Sequence, residues 1–169
     1  MFRRFINKWK QPIYKHDVLI VLLFGFLSAL AFGIVGGTID YLFLKYDVQI
    51  SISIVLLAIG ISYVLKTRYA SYHILYPTLA ALFLVIGLFI SELTLAAFAF
   101  QDIKVIFNLL STLSFYTDFL LSPFANIIIF FKALFHGSFD AESLLYSLLD
   151  IVTYSFAFYF VTRNTIGRN

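Results

Sequence analysis

Nine carboxylates are set among the long apolar runs of this 169-residue chain, and four of them stand where chemistry is possible. Asp150 lies inside the run 144–161, about 9 Å from its start if Leu144 opens a helix. Glu92 interrupts a run from Ile74 to Phe100, and Asp40 directly follows the first run. Asp118 sits in a half-polar stretch with Asn108, Ser111 and Thr117. A carboxylate in hydrocarbon is costly and by default marks an ion or proton site. Asp40 and Glu92, with the hydroxyls of Thr38, Ser91 and Thr94, make an oxygen set suited to a hard cation. The competing readings are structural: Asp150 as a hydrogen-bonding or capping group, the others as separate interfacial or solvated charges.

Other chemistry is thinly represented. His16, His73 and His136 have no ligand spacing, and no HExxH occurs. There is no GxSxG, P-loop or dinucleotide fingerprint. Without cysteine the chain has no disulfide, thiolate ligand or thiol nucleophile. The expectation is a non-enzyme with no metal site and no cofactor.

The elements that must position these residues are membrane helices. Hydrophobic residues make up 62 % of the chain and charged residues 12 %, against roughly 25 % charged in soluble domains. A soluble domain of this size has too much surface to hide so much apolar area. Spans are expected at 18–39, 48–65, 74–91 and 144–161, with Glu92 at an interface and Asp40 in a polar turn. The first run, Val18–Ile39, exceeds a signal-peptide core of about 7–15 residues, so an uncleaved span is expected. Residues 102–136 are apolar but broken by polar groups and Pro123. They form either a kinked fifth crossing or an amphipathic segment, interfacial or re-entrant.

Gly25, Ala29, Gly33 and Gly37 recur every four residues and draw a stripe of small side chains down the first span. Small residues let helix backbones approach closely in lipid. The stripe serves packing within one chain, a homodimer face or a passage, and Gly87 with Ser91 is a candidate partner surface.

Residues 1–17 are basic and amphipathic. Arg3, Arg4, Lys8, Trp9 and Lys10 suit contact with lipid headgroups on an anionic leaflet, rather than nucleic acid. Lys and Arg vote for a cytoplasmic N-terminus. Four spans place nine of them inside and three outside, against eight and four for five spans. Four spans are therefore preferred, with the basic tail 162–169 inside.

The run Gly33-Ile-Val-Gly-Gly-Thr-Ile-Asp-Tyr, then Tyr46-Asp-Val-Gln-Ile-Ser-Ile with Ala58-Ile-Gly60, and the final Leu149-Asp150-Ile-Val-Thr-Tyr before a basic end, resemble a group of small bacterial membrane proteins with four spans. The resemblance covers Gly25 to Arg163. Some members carry an N-terminal zinc ribbon or B-box, which this cysteine-free chain lacks. The basic turn Lys66-Thr-Arg68-Tyr-Ala-Ser also departs from the group's Gly-rich turn. The likeness implies a four-span layout and a bacterial cytoplasmic membrane, and no activity.

The expected fold is thus all-α and transmembrane, a bundle of four spans with five possible. The expected role is that of an accessory or scaffold protein in the lipid bilayer, packing with itself as a homo-oligomer or with a larger membrane complex. The alternative is a small transporter or channel subunit lined by Asp150, Glu92 and Asp118.

Overall fold

The computed structural model describes residues 13–46, 48, 51–66, 68, 73–117, 119, 127–128, 131, 135 and 141–166. Five helices run through them: α1 (Lys15–Lys45), α2 (Ser53–Lys66), α3 (Leu75–Phe100), α4 (Ile103–Ser111) and α5 (Ala141–Ile166). Residues 113–117 are also helical, and no strand occurs among the described residues. Three helices are long and apolar enough to cross a membrane: Lys15–Lys45, Leu75–Phe100 and, within α5, Leu145–Thr165.

Several bounds differ from the sequence-based ones. The first helix does not stop at the Gly36-Gly37-Thr38 stretch but runs through Lys45. Both glycines are buried and flanked by tight contacts, Thr38 Oγ1 donates to the Ile34 carbonyl at 2.8 Å, and Tyr41 stacks on Phe98. Asp40 is therefore a buried residue within a helix, not part of a turn. The second helix begins at Ser53 rather than near Val48. Its 14 residues reach about 21 Å, short of a hydrocarbon core of about 30 Å. The third continues past Glu92 to Phe100. Pro77 falls in its first turn, where no amide hydrogen is needed.

The chain divides into two units. Residues 1–99 with 157–169 form the first, and 100–156 the second. In the first unit, contacts fix the helix directions. Asp40 meets Ile52 and Ser53, Phe32 meets Gly60, and Arg68 lies over Phe24, so α1 and α2 are antiparallel. Gly25 meets Phe83, Gly33 meets Gly87 and Ile90, and Gly37 meets Ser91 and Thr94, so α1 and α3 are parallel. The core includes Val21, Ala29, Leu57, Ile61, Leu65, Tyr76, Ala80 and Leu84. Ala157, Val161 and Thr165 are fully or almost fully buried and repeat every four residues at the end of α5.

Hydroxyls inside these helices bond to their own backbone. Ser28 donates to the Gly25 carbonyl, Ser62 to Ala58, Thr94 to Ile90 and Thr165 to Val161. Where water is absent, this satisfies the hydroxyl without a partner from another helix.

In the second unit, Gln101 takes a left-handed conformation (φ 53°) after the last residue of α3. Asp102 Oδ1 then accepts the Lys104 amide hydrogen at 2.9 Å and caps α4. Lys104, Asn108 and Ser111 recur at helical spacing on this nine-residue helix, which gives it a polar face.

Candidate functional site

The most organised polar cluster is where α1 meets the start of α2. Asp40 is only 8 % exposed. Its Oδ1 accepts the backbone hydrogens of Ile52 at 2.8 Å and Ser53 at 3.3 Å. Its Oδ2 accepts the Ser51 hydroxyl at 2.7 Å, and Ser51 Oγ lies 3.0 Å from Ser53 Oγ. A helix start leaves four amide hydrogens without intrahelical partners. Here the Ile52 carbonyl accepts from Val55 and Leu56 at 3.1 Å each, so Ile52 holds the capping position with a side chain that cannot cap. Asp40 supplies the missing oxygen from another helix. A negative charge there also meets the positive end of the α2 dipole.

Close packing brings the two sides together. A Cβ built on Gly36 would lie 2.8 Å from Ser53 Cβ. Any side chain at Gly36 would push α2 off the Asp40 carboxylate.

The small-residue stripe faces α3. A Cβ on Gly33 would lie 2.7 Å from the Gly87 carbonyl oxygen and 3.0 Å from Ile90, while one on Gly37 would meet the Ser91 carbonyl. One on Gly25 would run into the Phe83 ring, and a Cβ on Gly87 would lie 3.3 Å from the Ala29 carbonyl oxygen. Gly25, Ala29, Gly33 and Gly37 thus all lie against α3 within one chain.

The remaining carboxylates behave differently. Glu92 is exposed on α3, makes no hydrogen bond with a described residue and lies within reach of the Asp40 charge. Thr38 and Thr94 spend their hydroxyl hydrogens on their own helices. No group of three or more acidic, His or Cys side chains able to hold a metal occurs among the described residues. Asp150 is exposed on the part of α5 that belongs to the second unit, whereas Asp40 and Glu92 belong to the first. Asp118, Arg3, Arg4, Lys8, Trp9 and Lys10 lie outside the described residues.

Two features at the opposite end of α2 were not anticipated. The Arg68 guanidinium lies 4.0 Å from the centroid of the Phe24 ring, a cation–π contact. His73 is buried, and its Nδ1 accepts the Leu75 amide hydrogen at 3.1 Å, capping α3. The signal for the His73 cap was faint: a polar residue just before an apolar run containing an early proline. No comparable signal pointed to the Arg68 contact.

No known family model, curated protein or solved structure matches the chain. The fold and its hydropathy define a class: the described residues are predominantly helical, and three helices are long and apolar enough to cross a membrane. Within that class, the Asp40 cluster joins α1 to the start of α2.

Proposed function

We propose that the protein is a non-enzymatic accessory or scaffold component of a membrane, packing with itself or with a larger membrane complex. The observation that carries this reading is the Asp40 junction. The buried carboxylate of the first unit has both oxygens occupied in capping α2, and its polarity is used to hold the bundle. No buried side-chain nitrogen or oxygen among the described residues lacks a partner, so no idle polar group points inward. In this reading α2 is a short fourth crossing beside the three long ones. The membrane is the bacterial cytoplasmic one, with the N-terminus inside. The end of α2 at Lys66, with Arg68 just beyond it, lies level with the N-terminal half of α1, which agrees with basic residues on one side.

A second reading, a small transporter or channel subunit, draws on Glu92. It is a carboxylate on a span-length helix with no hydrogen bond to a described residue. The two readings separate in proteoliposomes holding the full chain. An accessory protein gives no proton or monovalent-cation flux above protein-free vesicles, and Glu92→Gln and Asp150→Asn change nothing. Flux abolished by either substitution in a folded protein would sink the scaffold reading.

A further inference from the structure

We infer that the outward face of α2 is a binding site for one anionic phospholipid. An apolar groove of about 390 Å³ runs along this helix, with Phe32, Ile59, Gly60 and Tyr63 among its lining residues. Gly60 shapes one wall, because the Phe32 ring of α1 occupies the space where a Cβ would stand. A second cavity of about 150 Å³ adjoins it and shares Ile59 and Tyr63. This one is lined also by Lys66 and, from the end of α5, Asn164. All of these residues belong to the first unit.

The two cavities together form one amphipathic trough. On the reading proposed above, in which α2 is a fourth crossing, the trough's apolar part runs alongside a helix in hydrocarbon, as an acyl chain would. Its polar end carries an exposed cation, Lys66, that makes no ion pair with any described residue. Asn164 adds an amide able to donate to a phosphate oxygen. Charge complementarity therefore selects an anionic headgroup, whereas a second copy of this apolar surface would bring nothing to Lys66.

The short length of α2 strengthens the assignment. At about 21 Å it falls below the thickness of a bilayer core of about 30 Å. Such a mismatch is relieved by local thinning and by long cationic side chains reaching for the interface. A headgroup drawn down to Lys66 relieves it at that end.

The test uses the full chain in vesicles of phosphatidylcholine with phosphatidylglycerol, extracted into detergent, with retained lipid counted by native mass spectrometry. The wild type should retain phosphatidylglycerol over phosphatidylcholine by about fivefold, the effect of one cation near an anionic phosphate. Lys66→Gln should abolish that preference, and Lys45→Gln, on α1, should leave it intact. Ile59→Trp fills the groove at an exposed position and should reduce retention of both lipids. Equal retention by the wild type, or an unchanged preference in Lys66→Gln with its melting temperature preserved, would overturn the assignment. So would a disulfide between two copies carrying Ile59→Cys, which would place a second chain in the groove.

Discussion

Asp40 and Ile52 are twelve residues apart, yet the carboxylate Oδ1 of the first lies 2.8 Å from the backbone nitrogen of the second. One acidic side chain on α1 thereby sets where α2 begins. The same carboxylate binds Ser51 and Ser53, so three consecutive residues are held by one group.

Removing that group should be costly. Loss of a helix cap costs about 0.5–2 kcal/mol, and each unsatisfied buried amide about 1–3 kcal/mol. Asp40→Ala should therefore destabilise the protein by about 2–4 kcal/mol, and Asp40→Asn by roughly half as much, since its carbonyl oxygen still accepts. Unfolding in mixed micelles measures both. If Asp40→Ala and Ser51→Ala prove additive in a double-mutant cycle, the shared junction is refuted.

The glycine contacts predict a ranking. Gly33→Ala drives a methyl against the Gly87 backbone, which cannot move without shifting α3. Gly60→Ala first meets the ring of half-buried Phe32, a side chain rather than backbone, which gives way more cheaply. Overpacking of a well-packed contact costs about 1–3 kcal/mol, so Gly33→Ala belongs near the top of that range and Gly60→Ala near the bottom. Melting temperatures in detergent give the order, and the reverse order would contradict the parallel α1–α3 contact.

His73→Ala should expose the start of α3 to fraying, at about 1 kcal/mol, while His73→Asn keeps an acceptor and recovers most of it. Hydrogen exchange at the Leu75 amide reports the cap directly. Equal protection in His73→Ala and wild type would show that the ring nitrogen is not its partner.

At Gln101 the left-handed backbone strains any residue with a Cβ by about 1–2 kcal/mol, partly offset in glycine by its greater freedom when unfolded. Gln101→Gly should raise stability by up to about 1 kcal/mol. A loss of stability would mean the Gln101 side chain makes a compensating contact.

Sidedness is open to single introduced cysteines, since the native chain has none. Labels at positions 66 and 169 should be reached only from the cytoplasmic side, and a label at 45 only from the other. A C-terminus reached from outside would refute the even number of crossings.

The contrast between Asp40 and Gly33 shows how far one sequence reaches. The stripe of Gly25, Ala29, Gly33 and Gly37 is visible because helical spacing is a local property. Its facing surface on α3 is also suggested by small residues at Gly87 and Ser91. The sequence alone points to a turn at Asp40, because it follows the apolar run and precedes Lys45 and Asp47. Nothing local says that the helix continues, since that depends on Ser51, Ile52 and Ser53 arriving beside the carboxylate. A serine pair ahead of an apolar run was the available hint of a helix start at Ser53.

By itself, then, the sequence pointed to a helical membrane chain with four spans, of which the runs at 18–39, 74–91 and 144–161 fall in the three helices long and apolar enough to cross and the run at 48–65 does not. Hydropathy and length are sums over neighbouring residues and need no fold to be evaluated. Tertiary structure alone decided the shortness of α2, the burial of Asp40 and the apolar groove beside Gly60. Each depends on residues distant in the chain coming within a few ångströms, and only the packed helices bring them there.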